Sequence, residues 1–241
     1  RDTMNHAMIK KLCGLLKKDG VDAIMVAPGA DMTFLAGGSP ILCERFQALV
    51  IKNNETMFYI CNALYVDEIS ELMPGVRVYP WMDSENFAET VNLAFAEQGL
   101  CGKTVAVNGT VRAFNLLRIM KSADFTAVNG KAYPELTRII KTGEELENLR
   151  RSSAVADRVF EEVVGFIKPG MTEGDIKKEI VRLCISYGGE TPECIVAVGA
   201  NAAMPHYMGE DAVVTENSSV EMDFGCTVGG MYSDITRTVF I

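Results

Sequence analysis

The stretch VEMDFGCTVGGMYSDITRTVFI, Val220–Ile241, alternates apolar and polar residues on both sides of a glycine pair, the pattern of two strands joined by a tight turn. If the hairpin is symmetric about Val228-Gly229, Asp223 lies directly opposite Asp234, and period-2 alternation puts Glu221 and Thr236 on the same face. Met222, Phe224, Ser233 and Ile235 then point the other way. Facing residues in such a pair have Cβ atoms roughly 4.5–5.5 Å apart, and like charges there destabilise the hairpin unless something positive lies between them. A divalent cation is the simplest such group. Oxygen ligands of this kind suit Mn, Mg or Co, or zinc when nitrogen joins them. The competing reading is a solvated face with two ordinary surface aspartates. Against it, aspartate is disfavoured in strand interiors, and glycine already serves the turn.

Upstream of the hairpin the periodicity is helical. Thr142 and Glu145 form a capping-box signature, and Leu146, Leu149, Ser153, Ala156, Phe160 and Val163 keep helical spacing behind it. Lys168-Pro169-Gly170 breaks that helix, Thr172 with Asp175 opens a second one bearing Ile176, Ile180, Leu183 and Cys184, and Gly188-Gly189 closes it. Strand-like sequence follows from Glu193. The first part of the chain reads differently. An amphipathic helix over residues 6–18 is followed by the strand-like runs Ala23–Ala27, Ala48–Lys52, Thr56–Cys61, Thr104–Val107 and Phe125–Val128, with a Gly/Pro-rich loop after the first. Between them, Ser84 can cap a helix carrying Phe87, Val91, Ala94 and Phe95, and Val111, Phe114, Leu117 and Met120 mark another. Strands alternating with helices make a small α/β domain, and Asn129–Pro134 is a turn-rich connection at its end.

Composition narrows the function. With 241 residues, 48% hydrophobic and 23% charged, the chain is globular and holds one large domain or two small ones. Its 23 Lys+Arg against 32 Asp+Glu give a net charge of -9, the wrong sign for a nucleic-acid binder. No apolar run approaches the ~20 residues that span a bilayer, and the first segment lacks a signal peptide, so no membrane partner and no export are expected. Seven scattered cysteines without a C-x-x-C suit reduced thiols and a cytoplasmic location. Arg at position 1 implies a processed or cut N-terminus. Several motifs fail: there is no G-x-S-x-G and no G-x-G-x-x-G, Glu97 stands where a phosphate loop ending in Gly102-Lys103 needs glycine, and His6 and His206 alone cannot make H-E-x-x-H. No spacing favours a Cys–His dyad.

Asp223-Phe224-Gly225 followed by Tyr232-Ser233-Asp234-Ile235-Thr236-Arg237-Thr238 closely resembles the first metal-ligand hairpin of the pita-bread metallopeptidases, the family of proline-specific aminopeptidases and prolidases. IVAVGANAAMPHY (Ile195–Tyr207), KPGMTEGD (Lys168–Asp175) and RIIKTGEELENLR (Arg138–Arg150) are similar to family segments, and FLAGG (Phe34–Gly38) with ERF (Glu44–Phe46) resembles the creatinase-type N-terminal domain. The resemblance implies an α/β creatinase-like N-terminal domain over residues 1–130, followed over 135–241 by the first half of an α+β pita-bread fold. It implies a metal-dependent exopeptidase that hydrolyses Xaa-Pro bonds, as an Xaa-Pro aminopeptidase or an Xaa-Pro dipeptidase, acting on small proline-containing peptides. Asp223 would hold one divalent metal ion and Asp234 would bridge two, manganese first, cobalt or zinc next. His206 would hydrogen-bond the scissile peptide or its intermediate, and Thr236 a ligand carboxylate. Gly225 would either permit a close backbone approach or form a bulge. The family's set adds a later histidine and two later glutamates that this sequence does not contain, so the fragment alone is expected to be incomplete for catalysis. The alternatives are a non-catalytic peptide-binding module and a metal-free creatinase-like amidinohydrolase; retention of both aspartates weighs against each. By the same resemblance, the N-terminal domain is expected to mediate a homodimer.

Overall fold

Apolar alternation along β1 (Ala23–Val26) sends Ala23 and Met25 to one side of a sheet and Ile24 and Val26 to the other, all four fully buried. A strand covered on both faces belongs in the middle of a layered α/β sheet. In the computed structural model, which describes residues 3–241, it is flanked by β2 (Ala48–Lys52), β3 (Met57–Asn62), β4 (Arg77–Trp81), β5 (Lys103–Val107) and β6 (Phe125–Asn129), in the order β4-β3-β2-β1-β5-β6. Arg1, on which the expectation of a processed N-terminus rests, lies outside the described residues. β2 runs antiparallel to both its neighbours, and the other pairs are parallel. Helices α1 (His6–Lys18), α2 (Ala30–Ala36) and α3 (Val66–Leu72) cover one face through Ile9, Leu12, Leu16, Met32, Leu35 and Ile69. Helices α4 (Phe87–Glu97) and α5 (Ala113–Ser122) cover the other through Phe87, Val91, Phe95 and Ile119.

Three local expectations change. The Gly/Pro-rich stretch after β1 contains α2, which the buried Met32 and Leu35 hold on the sheet. Helix α4 is capped by Asn86, whose side chain accepts from the Ala88 amide, and not by Ser84. On α5 the periodic residues Phe114, Leu117 and Met120 face outward, at 60%, 63% and 47% exposure, while Asn115 and Ile119 face the sheet.

The chain divides into one unit that ends at Ile140 and another spanning Lys141–Ile241. Past residue 130, α6 (Ala132–Arg138) is tied to the first unit: Tyr133 donates from its hydroxyl to Asp19 at 3.1 Å, Lys11 donates to the Thr137 carbonyl at 2.8 Å, and Arg138 pairs with Asp31 at 2.9 Å.

The second unit packs α7 (Gly143–Phe166) and α8 (Glu173–Ser186) on a sheet of β7 (Glu190–Val198), β8 (Ser219–Val228), β9 (Met231–Tyr232) and β10 (Ile235–Phe240). The strands are antiparallel in the order β10-β8-β7, with β9 pairing β8. Both helices begin with complete capping boxes, Thr142 with Glu145 and Thr172 with Asp175, as their sequences predict. On α7 the buried stripe is Ser152, Val155, Ala156, Val159 and Val163, so Leu146 and Ser153 of the expected face are exposed instead. Met222, Phe224 and Cys226 of β8 meet Val159, Val163, Ile176 and Ile180 in the core, which leaves the opposite face of the sheet for polar residues.

Candidate active site

The hairpin turn lies at Gly229-Gly230, not at Val228-Gly229. Both glycines have positive φ (54° and 77°), the conformation that a two-residue turn matched to strand twist demands and that valine resists. Val228 therefore pairs with Met231, Thr227 with Tyr232, and Asp223 with Thr236. Asp223 is thus not directly opposite Asp234, which corrects the expected register. The partner moves by two positions, and with a side-chain period of two the faces are preserved. Asp234 occupies the break between β9 and β10, and extending the register sets it beside Gly225. Gly225 has no room for a side chain, since a Cβ there would stand 1.7 Å from the Ser233 carbonyl oxygen. Of the two readings of this glycine, the close backbone approach is the one observed.

Asp223 and Asp234 line one cavity of about 170 Å³ together with Glu193, Cys194, Ile195, Phe224 and Tyr232. On β7, Ile195 pairs with Asp223 and Glu193 with Gly225. Glu193, Gly225 and Asp234 thus form one row across the sheet, with the Ser233 carbonyl closing on Gly225 where a side chain would stand between the two acids. Thr236 donates its hydroxyl proton to Asp223 Oδ1 at 2.5 Å, which fixes that carboxylate and leaves Oδ2 without a hydrogen-bond partner among the described residues. Burial, reinforced by the negative charges of Glu193, Asp234 and Asp223, pushes the Tyr232 phenol up to about 12, so it keeps its proton at neutral pH. Burial likewise raises the Cys194 thiol to about 12, with Lys177 acting in the opposite direction and Cys184 and Asp223 adding to the rise. A thiol so protonated is no nucleophile.

His206 is placed elsewhere. It lies in an exposed turn after the short helix Gly199–Ala203 and is not among the residues lining the acidic cavity. The structure therefore brings Asp223, Asp234 and Thr236 together, while His206 stands on its own exposed turn and does not line the cavity. Sequence reasoning missed Glu193 and Tyr232. Alternation along β7, counted back from Ile195, carries the signal for Glu193; Tyr232 stands inside the hairpin motif itself.

Oxygen donors on one concave face fit a hard divalent cation, and Asp223, already oriented by a hydroxyl, has the outer support that metal-binding carboxylates need. Among the described residues no group of three or more His, Cys, Asp or Glu side chains closes around one point, so these residues fit as part of a coordination shell.

The sequence profile of the creatinase/prolidase N-terminal domain matches residues 8–150, and that of metallopeptidase family M24 matches residues 147–241. The chain belongs to the pita-bread metallopeptidases of family M24. This M24 chain is 28% identical over 227 residues to a probable dipeptidase PepE of Mycobacterium tuberculosis, an alignment covering 92% of the chain and 60% of the relative. Among solved structures, dipeptidase PepE from Mycobacterium ulcerans superposes with a TM-score of 0.86 at 26% identity, covering 98% of this chain and 64% of that one. A prolidase from Thermococcus sibiricus gives 0.85 at 25% identity, covering 97% and 64%. The M24 chain thus spans about 60–64% of the length of these relatives. The expected fold class, a creatinase-type domain followed by pita-bread architecture, is borne out. No helix among the described residues is long and apolar enough to cross a membrane.

Proposed function

We propose that the protein carrying this chain is a metal-dependent exopeptidase that hydrolyses Xaa-Pro bonds in small peptides, as a dipeptidase or an aminopeptidase. The observation that carries the reading is the convergence of Asp223 and Asp234 on one cavity, with Thr236 fixing the Asp223 carboxylate. In this reading Asp223 and Asp234 would hold the divalent cations, manganese first and cobalt or zinc next. When bound, such cations lower the pKa of water and polarise a scissile carbonyl. Thr236 keeps the Asp223 carboxylate in one rotamer, and Gly225 lets the Ser233 backbone approach β8 closely beside Asp234. His206, exposed on its turn, is the group that contacts the scissile peptide or its tetrahedral intermediate. A dipeptidase PepE and a prolidase among the structural relatives support the peptide substrate class.

The test is direct: the purified full-length protein with added manganese is assayed on an Xaa-Pro dipeptide and an Xaa-Pro tripeptide. Hydrolysis of one of them, abolished in Asp223→Asn and Asp234→Asn, is expected; no turnover of either overturns the reading. We also read the protein as a cytoplasmic homodimer. The outward apolar face of α5, with Phe114, Leu117 and Met120, supports a protein contact in the first unit. A monomeric mass in sedimentation would count against the dimer.

A further inference from the structure

Among the described residues Glu173 is the one carboxylate with no exposed surface. A buried charge is costly unless hydrogen bonds replace its hydration. Here they do, four times. Oε1 accepts from the Val198 amide at 2.8 Å and from Asn201 Nδ2 at 2.9 Å; Oε2 accepts from the Tyr207 hydroxyl at 2.9 Å and from the Ala212 amide at 3.2 Å. Asn201 Nδ2 also donates to the Tyr207 oxygen at 2.9 Å, which joins two of these donors to each other. The carboxylate sits in the first turn of α8, where the helix dipole favours a negative charge.

The donors are not scattered. Val198 ends β7, Asn201 and Tyr207 lie in the segment that follows, and Ala212 comes near its end. One side chain therefore gathers the start, middle and end of the segment that displays His206. Backbone bonds reinforce the attachment: the Glu173 amide donates to the Ala212 carbonyl at 3.0 Å and the Gly174 amide to that of Glu210 at 2.9 Å, while Lys177 pairs with Glu210 at 2.8 Å. A glutamine at 173 would have one acceptor oxygen, and its amide nitrogen would confront two donors.

We propose that Glu173 is a positioning residue that holds His206 in register with the reaction site by anchoring the 199–213 segment to the start of α8. The inference rests on the reading of His206 as the group that contacts the scissile peptide. It adds a residue that acts through the backbone and touches neither metal nor substrate.

The experiment compares wild-type, Glu173→Gln and Tyr207→Phe full-length protein by hydrogen–deuterium exchange and by steady-state kinetics on an Xaa-Pro peptide. Glu173→Gln is expected to raise exchange in residues 199–213 by at least about tenfold while β8 stays within about threefold, and to lower kcat by about 10–100-fold with KM within about threefold, the signature of a misplaced reacting group. Tyr207→Phe, which deletes one donor and spares the charge, is expected to move both readouts in the same direction by a smaller factor. It keeps the test open if the glutamine variant does not fold. Unchanged exchange at 199–213, exchange that rises equally through β7 and β8, or faster local exchange with kcat unchanged would each overturn the proposal. Exchange needs no turnover, so an inactive wild-type protein would sink the peptidase reading and still leave the anchoring itself to be decided at 199–213.

Discussion

Gly225→Ala puts a methyl group where the hairpin has no room. The added Cβ would stand 1.7 Å from the Ser233 carbonyl oxygen and 2.9 Å from Tyr232 Cζ, and real Cβ atoms keep at least 3.0 Å from such neighbours, so the backbones must part by more than an ångström. Parting them breaks the ties between Cys226 and Ser233: the Ser233 amide to the Cys226 carbonyl at 3.0 Å, the Ser233 hydroxyl to the same carbonyl at 3.2 Å, and the Cys226 amide to Ser233 Oγ at 3.3 Å. Each is worth about 1 kcal/mol net, which gives a loss of about 2–4 kcal/mol. Urea unfolding of the full-length protein followed by circular dichroism measures it, with hydrogen exchange in β8 and β10 locating the damage. Gly165→Ala is the control: it lies in α7 with nothing within 4 Å of its added methyl, and it should stabilise by about 0.5–1 kcal/mol. If Gly225→Ala unfolds within about 0.5 kcal/mol of wild type, the tight crossing beside Asp234 is wrong, and with it the way the two aspartates are brought together.

Thr236→Val removes the hydroxyl that orients Asp223 and is expected to weaken manganese binding about 10–100-fold by titration calorimetry, with little effect on melting temperature. Burial alone would raise the Glu173 carboxyl, but the bonds from Asn201, Val198, Tyr207 and Ala212 outweigh it and hold it below the ordinary range. The stability it contributes is therefore complete above the unfolded glutamate value of about 4.3 and is lost as pH falls through the lower folded value. Chemical unfolding across that acid range should show wild type declining more steeply than Glu173→Gln. Thr172→Ala deletes the acceptor for the Asp175 amide and should cost about 1 kcal/mol in urea unfolding.

How much of this was legible follows from the range of the interactions involved. Thr142, Glu145, Thr172 and Asp175 announce their helices because capping is settled within four residues. The strands of the first unit declare themselves as apolar runs for the same local reason. The hairpin's acidic face was legible too, yet its turn was displaced by one residue, because alternation fixes a face while positive φ at Gly229 and Gly230 fixes the register. Phe114, Leu117 and Met120 mark a genuine helix but mislead about its buried side, since a period defines a stripe and not the direction it faces. Helix α2 was hidden in a loop-like sequence because β-strand partners far along the chain decide its burial. Glu173 stands in the first turn of α8 with nothing local to mark its role. Its partners lie 25 to 39 positions away, and no local pattern reports them.

Strand β10 has β8 on one side and, among the described residues, no strand on the other. Its outward amides and carbonyls form a row that hydrogen-bonds water or another extended segment equally well, and Phe240, 81% exposed, adds an adhesive side chain at its tip. Solutions of this polypeptide by itself should therefore turn turbid as concentration rises, by stacking of copies along that border, and a charged residue placed at Thr238 should keep them clear.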